Sequence, residues 1–204
     1  MRVREVLVVG ACVTLLTGCA AEKSDLPGLT ASPTPAVSSS APEPTPTERT
    51  ATDLSDPELG IVFDDIPSLT GPAASAYDAV AIYRVERWRS QTTGTVSPAL
   101  MQFASPEILR KVEYGIQRNN EDGFGFDGVV RNTISSVVVD GATATASVCV
   151  DYSDVLFTHL DGSEPQSFDE IGFPQYELST VRLSTFDGGV TWRPEDTTFE
   201  GDAC

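Results

Sequence analysis

Hydrophobic and polar positions change rhythm along this chain, and each change marks a different kind of segment. An apolar run from Val6 to Leu16, broken only by small residues and Thr14, follows Arg2 and Arg4. At that length it falls short of the roughly 20 apolar residues a permanent membrane helix needs, and it reads as a secretion signal. From Ala20 to about Leu54 periodicity disappears. Ser, Thr, Pro and Ala dominate, and Pro33, Pro35, Pro42, Pro44 and Pro46 interrupt any helical or strand period. Apolar residues return among acids at Ile61, Val62, Phe63 and Ile66, and residues 55–71 read as an arm that packs on the domain C-terminal to it. Between Pro72 and Ser90, Tyr77, Val80, Ala81, Val85 and Trp88 recur at helical spacing, which predicts an amphipathic helix. Ser97-Pro98 and Ser105-Pro106 have the form of helix starts, serine as cap and proline in the first turn. Ile108, Leu109, Val112 and Ile116 line one face of the second.

Glu121 to Gly128, rich in glycine and acids around Phe124 and Phe126, reads as a loop. Beyond it the period becomes two. Val129 to Val139 is β-branched and ends at Asp140-Gly141, a dipeptide favoured in tight hairpins. Ala142, Ala144, Ala146, Val148, Val150 and Tyr152 then alternate with small polar residues, predicting a strand with one apolar face. A further strand near Tyr176 to Phe186 turns at Asp187-Gly188-Gly189 and returns as Val190 to Phe199. Helices followed by an antiparallel meander give an α+β domain over residues 72–204.

The apolar leader ends in Leu16-Thr17-Gly18-Cys19, which resembles a bacterial lipobox: an aliphatic residue, two small ones, then cysteine. The resemblance implies cleavage after residue 18 and diacylglycerol on Cys19, with the cell membrane as location and its extracytoplasmic face as the side of display. At about 0.8 kcal/mol per buried methylene, two acyl chains hold stably where one holds marginally. Arg2 and Arg4 are separated by Val3, so the adjacent pair of the twin-arginine route is missing and general secretion is expected. Residues 19–54 then form a disordered tether of about 35 residues, reaching roughly 30 Å as a coil and about 100 Å in polyproline geometry.

Charge narrows the partners. The chain has 13 basic and 30 acidic side chains, a formal charge of −17, and lysine only at Lys23 and Lys111. Such a field repels phosphate backbones, so nucleic acid is not an expected partner. The expected partners are the membrane, through the N-terminal lipid, and an envelope protein or small apolar ligand.

The hairpin Val-Val-Val-Asp-Gly-Ala-Thr-Ala-Thr-Ala at 137–146, with Val-Cys-Val-Asp at 148–151, resembles the domain of actinobacterial lipoproteins in the nuclear-transport-factor-two-like superfamily. That resemblance implies a cone: a curved antiparallel sheet wrapped around the N-terminal helices, with a pocket between them. Many members have no known activity, but one branch comprises ketosteroid isomerases and polyketide cyclases, in which a pocket acid moves a proton. On that alternative Asp151, with Tyr83 or Tyr152, would carry the chemistry.

Cys12 leaves with the leader and Cys19 is acylated, which leaves Cys149 and Cys204 as a pair outside the cytoplasm. They are expected to form a disulfide. His159 is the only histidine, which removes multi-histidine metal sites, and in Thr158-His159-Leu160-Asp161-Gly162 it reads as a solvated turn residue. No Gly-x-Ser-x-Gly elbow exists to place a nucleophile. Acidic pairs such as Asp64-Asp65 and Asp169-Glu170 read as solvated loops, and Asp161 to Glu164 lacks the spacing of a calcium loop. No metal or cofactor is implied. Arg84 falls inside the apolar helical stripe, either snorkelling past aromatic rings or entering the pocket to meet an acid such as Asp151. The expected function is therefore non-enzymatic binding at the cell envelope, by a pocket containing Tyr83, Arg84, Asp151 and Tyr152.

Overall fold

The computed structural model describes residues 49–204. The leader, Cys19 and the tether as far as residue 48 lie outside the described residues. The order of elements is β1 (Ile61–Asp64), α1 (Gly71–Thr93), α2 (Pro98–Phe103), α3 (Pro106–Asp122), β2 (Phe124–Asp140), β3 (Thr143–His159), β4 (Gln166–Ser167), β5 (Tyr176–Ser184) and β6 (Arg193–Gly201).

Local chemistry sets these boundaries. Gly94 closes α1 in the left-handed region at φ 68°. The hydroxyl of Ser97 accepts from the Ala99 amide at the start of α2, and that of Ser105 accepts from the Ile108 amide at the start of α3, each at 3.2 Å. The expected loop at 121–128 is not one. Helix α3 runs to Asp122, Gly123 caps it at φ 75°, and β2 starts at Phe124. Glycine at 128 serves a close approach of strands: at φ 94°, a Cβ there would stand 2.2 Å from the Asp154 carbonyl.

One six-stranded sheet has the order β1-β2-β3-β5-β6, with β4 paired to the distal part of β3 beyond β5. Pairing is antiparallel except at one edge, where Ile61 to Asp64 run parallel to Val130 to Thr133. The α+β order holds, but the expected cone with an antiparallel sheet does not form. The sheet is mixed, and the three helices lie on one side of it instead of being wrapped by it. The reason lies in β1, within the segment expected to be an arm: parallel strands cannot be joined by a tight turn and need a long crossover, which here consists of the helices.

Register decides which side chains face the helices. In β3 the even positions Ala144 to Tyr152 point inward, and one extra residue between Asp151 and Asp154 then shifts the inward set to Val155 and Phe157. A second bulge, on β2 between Ser135 and Val138, includes Ser136 at φ 51°. Inward residues of the sheet meet Tyr77, Val80, Ala81 and Trp88 of α1 and Ile108, Val112 and Ile116 of α3 in a single core.

Helix α1 is buried nearly all round from Ala74 to Ala81 because a strap of chain covers its other side. Residues 49–54, read from the sequence as the end of the tether, lie against the domain. The Arg49 guanidinium donates to the buried Asp78 carboxylate at 2.9 and 3.2 Å, and the Thr52 amide donates to the same group at 2.8 Å. Cys149 and Cys204 are joined in a disulfide spanning 55 positions of sequence. Since Leu178 of β5 pairs with both Cys149 and Gly201, the bridge carries the C-terminus back over β5 to β3. Among the described residues no helix is long and apolar enough to cross a membrane.

Candidate functional site

The inward shift at the β3 bulge gathers aromatic rings near the far end of the sheet. Phe157 lies 5.0 Å from Phe126 and 4.5 Å from Phe168, ring centre to ring centre, and Phe168 stacks on Tyr152 at 4.7 Å with the planes 7° apart. Trp88 of α1 joins at 6.0 Å from Phe126, its indole N–H fixed by the Leu59 carbonyl at 3.0 Å. These rings line a groove of about 360 Å³ between the sheet and the C-terminal halves of α1 and α3. Six of the nine phenylalanines contribute to it, which makes this the aromatic concentration of the molecule. Phe173 and Phe199, at its mouth, are more than half exposed.

A second cavity of about 250 Å³ adjoins the groove and shares Arg87, Gln91, Glu177 and Phe199 with it. Its polar floor centres on Glu177. The Arg87 guanidinium lies 3.8 Å from one Glu177 oxygen, and the Tyr152 hydroxyl donates to the other at 3.2 Å. Burial alone would raise the Glu177 carboxyl, but Arg87, Arg84 and the Tyr152 hydroxyl outweigh it and hold the group below its ordinary range. Burial pushes the Tyr152 hydroxyl above its usual value, against the pull of Arg84. The site therefore holds an ionised acid and a neutral phenol at neutral pH. The same contacts weaken Glu177 as a base, and the raised phenol is a weak acid.

Of the four pocket residues read from the sequence, Tyr83, Arg84 and Tyr152 come together around the two adjoining cavities, and Asp151 does not join them. Tyr83 lines the second cavity and Tyr152 the groove. Arg84 is buried behind them and donates from Nε to Asn132 Oδ1 at 2.8 Å. Asp151 sits on the outer face of the sheet, one residue out of phase with Tyr152, where its carboxylate accepts from the amide and hydroxyl of Ser153. It cannot meet Arg84. His159, read as a solvated turn residue, ends β3 with its ring edge-on to Phe124 and Nε2 3.2 Å from Gln166 Oε1. Among the described residues no three His, Cys, Asp or Glu side chains converge as a metal site.

Sequence reasoning did not find Arg87, Glu177 or the phenylalanines. Arg87 stands one helical turn from Tyr83 and Glu177 holds an inward position of β5, but both signals need the register of the sheet. Phe124 and Phe126 come from a segment that reads as a loop, Phe199 from the end of an expected strand, and Phe157, Phe168 and Phe173 from a stretch whose pattern assigns no element.

No family model matches the chain, and no curated protein matches it. Among solved structures, the intermembrane space region of chloroplast protein ARC6 is similar at a TM-score of 0.47 and 10% identity. The likeness covers 62% of this chain and 95% of that one. A likeness this slight carries nothing to the present chain. What fold and site define is an α+β domain with an open aromatic groove and a charged floor.

Proposed function

We propose that this chain is a lipid-anchored envelope protein, displayed on the extracytoplasmic face of a membrane, whose domain binds an apolar ligand or partner segment in the aromatic groove without converting it. The leader, the Leu16-Thr17-Gly18-Cys19 box and the proline-rich tether support the anchoring. The observation that carries the binding is the groove itself. Apolar rings left open to water are unfavourable at about 25 cal/mol per Å², and covering them with an apolar partner recovers that energy. The isomerase-like reading loses the base it named, since Asp151 faces the other way, and the carboxylate that does reach the groove, Glu177, is a weakened base engaged by Arg87 and the Tyr152 hydroxyl.

Two measurements test the two halves. Wild-type protein partitions into the detergent phase of a cloud-point extraction and Cys19→Ala into the aqueous phase; retention of the variant removes the lipid anchor. With the acyl chains absent in Cys19→Ser, Nile red, a neutral apolar dye, binds saturably at one molecule per chain. Replacing the exposed ring by Phe173→Asp weakens that binding about fivefold or more, on the order of 1 kcal/mol. Dye binding that is absent, or indifferent to Phe173, removes the groove reading.

A further inference from the structure

The charge on the floor of the groove does not balance. Two guanidiniums, Arg84 and Arg87, face one carboxylate, Glu177. Arg84 is 4% exposed, and the acceptor of its Nε is the neutral amide oxygen of Asn132. The side chains of Arg87 and Glu177 are 21% and 23% exposed, so solutes reach them. Their 3.8 Å contact is longer than a hydrogen bond, which leaves the guanidinium N–H groups able to engage another anion. The remaining charges around the two cavities are already matched: Lys111 lies 2.7 Å from Asp196, and Asp122 3.3 Å from Arg118. Beside Arg84, the Nδ2 of Asn132 is buried without a partner among the described residues. A buried surplus of positive charge is unfavourable unless an anion meets it. The acidic surface opposes an anion only weakly, because exposed charges are screened beyond about 10 Å at 0.1 M salt.

Resting on the groove reading above, we infer that the ligand is an amphipathic anion, its single apolar tail laid along the phenylalanine wall and its carboxylate head on the Arg87 guanidinium in the adjoining cavity. Arg84, one turn earlier on α1, supplies a second positive charge behind the head. Tyr83 and Gln91 line the same cavity and offer a hydroxyl and an amide. Glu177 competes for Arg87, and the Tyr152 hydroxyl, fixed on Glu177, lessens that competition.

The test titrates decanoate, decan-1-ol and decyltrimethylammonium, each below its micelle concentration, into full-length Cys19→Ser protein by calorimetry. Decanoate is expected to bind about tenfold or more tightly than the alcohol, the range of a charge-assisted hydrogen bond, and the ammonium weakest. In Arg87→Gln the ratio of decanoate to alcohol affinity falls to near one, whereas Arg87→Lys, which keeps the charge, retains most of the preference. Equal affinity of wild type for decanoate and alcohol overturns the inference, as does tightest binding of the ammonium or a preference that survives Arg87→Gln. If Nile red binds and none of the three chains does, the inference fails and the groove reading stands. If Nile red fails as well, both fall.

Discussion

Tyr77 and Asp78, adjacent on α1, show how differently two buried polar groups can be treated. The Asp78 carboxylate is satisfied by Arg49 and Thr52, so the ion pair that fixes the strap also solves a desolvation problem. The Tyr77 hydroxyl is fully buried with no hydrogen-bond partner among the described residues. Burial first, then the charges of Asp53 and Asp78, push its ionisation up to about 12. The unfolded chain ionises this phenol near pH 10, so the stability linked to it is complete below about pH 10 and is lost as pH rises toward 12. Tyr77→Phe removes both the orphaned hydroxyl and this titration. Urea unfolding should show the variant about 1 kcal/mol more stable at neutral pH, with a shallower decline above pH 10. A destabilised variant would mean the hydroxyl has a partner in solution, such as a trapped water.

At the scale of elements, what was legible in the sequence was what is encoded locally. Ser97, Ser105 and the Asp140-Gly141 turn work through their own neighbours, and all three appear where their chemistry puts them. Long-range pairing was hidden. Four residues of β1 carry no period long enough to announce a strand, yet their parallel pairing with β2 turns an expected cone into a mixed sheet covered on one side. Phe124 and Phe126 were lost in a glycine-rich stretch because Gly128 signals a turn when read locally but answers a close contact with β3. The bulge after Tyr152 could not be read from alternation, and it is what brings Val155 and Phe157 onto the inward face beside Tyr152. Cys149 and Cys204 were legible by count and compartment alone. Closing a loop of 55 residues contributes about 4 kcal/mol in the chain-entropy model. Cys149→Ser with Cys204→Ser should lose most of that in urea titration. A loss below about 1 kcal/mol would show that the reduced, unfolded chain is already restricted across this span.

For the whole molecule the governing quantity is charge, −17 over 204 residues. Self-repulsion of this size disfavours the compact state, and acidification by itself would relieve it. Specific contacts act in the opposite direction. Glu177 lies below its ordinary range because Arg87, Arg84 and Tyr152 prevail over burial, and Asp196 because of its hydrogen bond from Lys111. Asp187 is lowered to about 2, first by the Thr191 amide and then by the Thr185 hydroxyl. Each of these carboxylates binds its proton more weakly in the folded chain than in the unfolded one, where carboxylates titrate near pH 4. As pH falls through that region the unfolded state takes up protons first, so the stability these contacts supply is present above about pH 4.5 and lost below it. Because the lowered groups anchor both the groove floor and the turn after β5, their loss should outweigh relief of repulsion. The midpoint of thermal unfolding, followed by circular dichroism in 0.15 M salt, is therefore expected to stay level from pH 7 to 5 and to drop steeply between pH 4.5 and 2.5. Glu177→Gln should flatten part of that drop. A midpoint that rises on acidification would show that repulsion dominates and that these contacts contribute little to the fold.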